Sequence, residues 1–159
     1  MVQHNVQVRL NPADEIIHVG VLQIRFLVTG TESHGSAAIF ELTVPAGAQL
    51  PAPAHSHDAY EETLYGLEGI ITWTVDGVPI EVGPGRALCI PRGAVHAFAN
   101  HGAGDAKALS VLSPAVIGPE FFREMGAVIA AARGAPPDRT KMVEVMRRYG
   151  LTPVPPPSA

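Results

Sequence analysis

Between Gly47 and Asn100 the chain places four side chains that can hold a metal ion, His55, His57, Glu62 and His96, and separates them largely by turn formers. His55 and His57 are two positions apart. In a strand such residues leave the same face, so both imidazoles can address one ion. Glu62 comes five positions after His57, which in an unbroken strand would put it on the opposite face. Asp58-Ala59-Tyr60 must therefore bend the chain, and Asp is a turn former. His96 is remote in sequence and arrives only by folding. Three neutral imidazoles and one carboxylate suit a borderline divalent ion such as iron, manganese, zinc, copper or nickel. On an octahedral ion they would leave two open positions, which mark catalytic rather than purely structural sites.

The residues between the ligands predict short strands. Asp76-Gly77 sits between Ile71–Val75 and Val78–Val82, a strong hairpin signal. Gly83-Pro84-Gly85 and Pro91-Arg92-Gly93 are further turns, the second just before the strand that carries His96. Upstream, Ile16–Thr29 is rich in β-branched and large apolar residues and reads as one long strand or two short ones. Ala38, Phe40, Leu42 and Val44 alternate with Ile39, Glu41 and Thr43 as a half-buried strand. Lys107–Leu112 is the last strand of this series.

These residues resemble the cupin family. The family's first motif is similar to Gly47, His55, His57, Glu62 and Gly69, with seven rather than five residues between Gly47 and His55. Its second motif maps without deviation onto Gly85, Pro91, Gly93, His96 and Asn100. A long joint match of this kind is far more specific than a short motif. The resemblance implies an all-β fold, a double-stranded β-helix or jelly-roll barrel, here followed by one or two C-terminal α-helices. It implies a metal held by His55, His57, Glu62 and His96, with Asn100 structural. Glu62 is preferred to its neighbour Glu61 because only Glu62 keeps the motif's six-residue step to Gly69.

Gly66 shares a strand face with Glu62, where similar cupins often carry an apolar residue. It would leave a gap that widens the pocket or would mark a bulge, and the wider pocket is the preferred reading.

The tail differs in character. Gly118-Pro119 opens a helix with the stripe Phe121, Phe122, Met125, Val128 and Ile129, closed by Arg133-Gly134. Asp138 caps a second helix with the stripe Met142, Val145, Met146 and Tyr149, closed by Gly150. These helices are too short to be stable alone and must pack on the barrel or a partner. The expected organisation is a barrel over residues 1–115, a helical extension over 116–150 and a flexible polyproline-like tail over 151–159.

Plainer readings cover the remaining residues. The Asn11-to-Asp14 stretch is a turn, and His4, His18, His34 and His101 are structural or surface residues. Cys89 is a buried, inert thiol. Trp73, Tyr65 and Phe98 are core, with Phe98 also placed to line the pocket. The helical stripes are packing rather than a cofactor box.

At 159 residues the chain fits one domain with a substantial core. A net charge of −4 offers no basic patch, which argues against nucleic acid as a partner. A single cysteine excludes an internal disulfide and fits a cytoplasmic location. No signal-peptide pattern or membrane-spanning apolar run is present, so no membrane partner is expected.

The functional expectation is a metal-dependent cupin acting on a small organic molecule, first a dioxygenase-type oxidoreductase with one divalent ion per chain. Iron or manganese leads, with zinc, nickel or copper as alternatives, and Glu62 is the candidate catalytic base as well as a ligand. The rivals are a non-redox isomerase or decarboxylase and a metal-containing binding protein without turnover. A homodimer is expected from the apolar Ile16–Thr29 segment and the helical stripes.

Overall fold

The computed structural model describes residues 15–155; the predicted turn near Asn11 and His4 lie outside them. The segment Ile16–Thr29 forms two strands, β1 (Ile17–Val19) and β2 (Leu22–Val28), paired antiparallel with Ile17 opposite Ile24. β3 (Ala38–Val44) buries Ala38, Phe40, Leu42 and Val44, the alternation written in its sequence. Then come β4 (His55–His57), β5 (Glu61–Glu68), β6 (Ile71–Val75), β7 (Val78–Val82), β8 (Ala87–Ile90), β9 (His96–Ala99) and β10 (Ala106–Ser113). The chain closes with α1 (Pro119–Ala131), α2 (Arg139–Arg148) and β11 (Leu151–Pro153).

The strands form two antiparallel sheets, in the orders β1-β2-β3-β10-β5-β8 and β11-β4-β9-β6-β7. Their inner faces enclose one core, in which Leu64, Ile71, Trp73 and Leu112 are almost fully buried. This is the expected all-β jelly-roll with two C-terminal helices. The β6–β7 turn is built on Asp76 and Gly77, whose left-handed φ values of 47° and 81° give the twist a two-residue hairpin needs.

Gly66 does not widen the pocket. A Cβ there would stand 2.0 Å from the carbonyl oxygen of Gly83, because the backbones of β5 and the Gly83–Gly85 turn touch. Gly66 N donates to Arg86 O, and Gly66 O accepts from Gly85 N. The β5–β10 register also shifts between Lys107 and Ala108, so the bulge reading is the one the backbone supports.

α1 begins at Pro119, and the Asp138 carboxylate caps α2 by accepting from Lys141 N at 3.2 Å. Both helices contribute to the barrel's own core through Phe121, Met125, Met142, Val145 and Met146. They are thus a wall of the barrel rather than a separate body.

Three further expectations need correction. The tail is not loose from residue 151: Leu151–Pro153 adds a strand beside β4, with Leu151 opposite His57 and Pro153 opposite His55. Burial of Leu151 and the otherwise open edge of β4 favour that pairing. Cys89 is exposed, because Ile90 takes the inward position on β8 and its neighbour must face out. Tyr65 is 45% exposed for the same reason, lying between inward Leu64 and Gly66.

Candidate metal centre

All three residues of β4 are buried. His55 and His57 leave the same face of β4, and β9 brings His96 in directly opposite His55. The bend at Asp58 and Ala59 lets the chain cross to the other sheet, where β5 carries Glu62. The imidazoles therefore come from one sheet and the carboxylate from the facing one.

The candidate ligand atoms of His55, His57 and His96 lie within 4.8 Å of one another. Glu62 Oε2 is 3.5 Å from His96 Nε2 and 4.0 Å from His57 Nδ1. Glu61 instead faces outward and pairs with Arg92 at 2.8 Å. All four predicted residues are thus brought together, and Glu62 rather than Glu61 is the carboxylate that meets the imidazoles.

The surroundings fix these side chains. His55 Nδ1 donates to Pro53 O and His96 Nδ1 to Ala94 O, each at 3.0 Å. A carbonyl only accepts, so both rings carry a proton on Nδ1, and each ring when neutral presents its Nε2 lone pair. Such outer hydrogen bonds orient the histidine ligands of metals. The His57 ring stacks on Tyr60, with centroids 4.3 Å apart. Ser110 Oγ donates to Glu62 Oε1 at 2.6 Å, which leaves Oε2 facing the imidazoles. The sequence reading missed Ser110. Its signal was a hydroxyl on the inward parity of β10, in line with Ala106, Ala108 and Leu112.

Electrostatics divide the cluster. Burial, with His96 adding to it, depresses His55 to about 4, and burial likewise depresses His57 to about 3. Burial alone would raise the Glu62 carboxyl, but the hydrogen bond with His96 and the nearby His57 outweigh it and hold the group at about 2. Burial would lower His96, yet Glu62 beside it lifts it above its ordinary range. Burial thus favours neutral His55 and His57, while His96 and Glu62 each favour the other's charged form. Three nitrogen donors and one carboxylate oxygen, converging and held by outer partners, fit a divalent ion.

The cluster opens on a cavity of about 80 Å³, enough for several waters or a small ligand. The other lining residues are hydrophobic. Phe98 lines it as expected, and so do Phe121, Phe122, Met125 and Met146 of the two helices. The helical stripes are thus packing and cavity wall at once. Asn100 is structural: its Nδ2 donates to Val44 O and Gly104 O, each at 2.9 Å. His18, His34 and His101 are exposed, as read. Among the described residues two buried polar atoms, Tyr60 Oη and Trp73 Nε1, have no hydrogen-bond partner in the protein.

Residues 40–112 match the family model described as the cupin domain. The barrel is a cupin. Over 72 residues this cupin is 38% identical to quercetin 2,3-dioxygenase of Bacillus subtilis (strain 168), a match covering 45% of the chain but only 21% of that enzyme. The polyketide cyclase RemF of Streptomyces resistomycificus shares the fold with a TM-score of 0.58 and 24% identity, over 75% of this chain and 92% of its own. An RmlC-like cupin from Shewanella frigidimarina NCIMB 400 aligns with a TM-score of 0.56 and 20% identity, over 67% and 87% of the two chains. A predicted oxalate decarboxylase from Thermotoga maritima aligns with a TM-score of 0.55 and 21% identity, over 58% and 80%. These structures share the architecture while carrying different activities in their names, so the fold alone does not select a reaction.

Proposed function

We propose that this cupin is a metal-dependent enzyme of dioxygenase type, acting on a small, mainly apolar organic molecule. The observation behind the reading is the junction of a three-imidazole, one-carboxylate cluster with an otherwise hydrophobic cavity. The similarity to part of a quercetin 2,3-dioxygenase supports it.

His55, His57, Glu62 and His96 would hold the ion, with iron or manganese first and zinc, nickel or copper as alternatives. When bound, a redox-active ion supplies a meeting point for an oxygen-bearing substrate and dioxygen. The protein's own residues do the rest. The carbonyls of Pro53 and Ala94 keep His55 and His96 in one tautomer and orientation. Ser110 ties down one oxygen of Glu62, so the other is the atom that would either ligate the ion or take a proton from a substrate hydroxyl. Leu42, Phe98, Phe121 and Met146 exclude water and select an apolar substrate body.

Oxygen uptake by iron- or manganese-loaded protein with catechols, flavonols and diketones tests this reading. Consumption of oxygen in step with product is the expected result. Turnover without oxygen would replace it with an isomerase or decarboxylase. Saturable binding with no product would make the protein a metal-containing binding module.

A cytoplasmic homodimer belongs to the same proposal. Ile16 and Val21 are 48% and 62% exposed at the β1–β2 hairpin, and β1 is an edge strand. A monomer by light scattering at micromolar concentration would remove the dimer. Among the described residues no helix is long and apolar enough to cross a membrane.

A further inference from the structure

The three imidazoles of the cluster are not held alike. His55 and His96 each donate from Nδ1 to a backbone carbonyl two residues earlier, at 3.0 Å. A bond of this kind fixes the tautomer and keeps the ring from turning over. Among the described residues His57 has no such carbonyl. Its Nδ1 stands 4.0 Å from Glu62 Oε2, beyond hydrogen-bond reach. A ring face bears on it instead: His57 lies on Tyr60 with centroids 4.3 Å apart and planes 21° from parallel. The other rings around it, His55 and His96, are inclined to it by 42° and 80° and are themselves candidate ligands. Tyr60 is 0% exposed, and its hydroxyl has no partner in the protein. An unpaired hydroxyl holds nothing in place, so Tyr60 is fixed by the packing of its ring. His57 lines the cavity and Tyr60 does not, so Tyr60 acts on the site only through the imidazole it backs. Stacking sets the plane of that imidazole. A half-turn about Cβ–Cγ leaves the plane as it was and exchanges the two sides of the ring.

We propose that Tyr60 is a positioning residue that holds the plane of His57, and that His57 is the one imidazole of the cluster able to turn over and let go of the ion. The inference rests on the ligand set proposed above and deepens it. His55 and His96 are locked by Pro53 and Ala94, and Glu62 is tethered through Ser110. His57 is set only by the stack on Tyr60. A histidine without an outer hydrogen bond grips its ion less firmly, since that bond both orients the ring and raises its basicity. The centre therefore has three fixed groups and one movable arm, and loading and release of the ion pass through His57.

The experiment uses the full chain, Zn²⁺ as a diamagnetic probe, and long-range ¹H–¹⁵N spectra of the imidazoles at neutral pH. In the metal-free protein His55 should show one tautomer and His57 an average of two. Tyr60→Phe keeps the ring and should match wild type in zinc affinity and release. Tyr60→Leu removes the ring and should bind zinc about tenfold more weakly, yielding it to a chelator correspondingly faster. In zinc-loaded Tyr60→Leu the His57 nitrogens should broaden while those of His55 and His96 stay sharp; a merely structural role for Tyr60 would disturb all three alike. Three results overturn the inference and leave the ligand set standing: equal zinc affinity in a folded Tyr60→Leu, equal losses in Tyr60→Phe and Tyr60→Leu, or three imidazoles perturbed together. If Tyr60→Leu does not fold, the metal-free wild-type spectrum decides, and a single His57 tautomer there overturns the inference. Failure of zinc to load the wild-type chain overturns the ligand set as well.

Discussion

The cavity has two walls built under different constraints. One is the ligand wall on β4, β5 and β9, where His55, His57, Glu62 and His96 each have an oriented partner. The other is the apolar wall, where α1 and α2 set Phe121, Phe122, Met125 and Met146 against the barrel. The first wall depends on donor atoms and geometry, and a change of one atom type removes a ligand. The second depends on volume, and another apolar side chain of similar size would fill it at modest cost. In the proposed enzyme, metal binding belongs to the first wall and substrate fit to the second, so the two should fail independently.

That separation can be broken in four ways, taken from the largest effect down. His96→Ala should strip the metal almost completely, while far-ultraviolet circular dichroism shows an intact barrel. Metal content unchanged from wild type would remove His96 from the ligand set. Phe121→Ala should do the reverse: a loss of about 3 kcal/mol in a denaturant melt, with metal content unchanged. Metal loss in parallel with stability would show that the two walls are coupled.

Acid should destabilise the metal-free protein through the ligand wall. His55 and His57 sit at about 4 and about 3 when folded, against about 6.5 when unfolded. Between those values the unfolded chain binds more protons, so stability falls as pH drops from about 6.5 towards 4. Glu62, held at about 2, adds a further loss below its ordinary value. His96 works against this, since its raised value adds stability on the acid side that is lost as pH climbs through it. Two depressed histidines against one raised one predict a net fall in melting temperature from pH 6.5 to 4; a flat profile would contradict the burial of neutral imidazoles. The smallest effect is expected for Ser110→Ala, which should weaken metal affinity about tenfold by freeing Glu62, measured by competition with a chelator.

The two walls were also unequally legible. Residue type and spacing constrain ligands tightly, so the positions of His55, His57, Glu62 and His96 and their convergence could be read ahead of the structure. Strands with clean alternation, such as β3, and the capped helices were equally plain. The apolar wall was visible only as helical stripes, because an amphipathic pattern says that a face is buried but not what it faces. Ser110 was hidden because a lone inward hydroxyl carries no spacing rule. Tyr65 and Cys89 were misplaced although strand parity held the answer: with Glu62, Leu64 and Gly66 inward, Tyr65 had to face out. Gly66 was ambiguous because a glycine's role depends on which backbone approaches it, here that of Gly83.

The ligand strand β4 pairs along its whole length with Leu151–Pro153 and meets β9 at His55 and His96. During synthesis, every proposed ligand emerges from the ribosome well before the strand that braces two of them, which begins only at Leu151. Until that brace arrives, His55 and His57 ride on a ribbon with one edge bare. The geometry proposed to capture an ion is therefore complete only once Leu151–Pro153 lies beside β4.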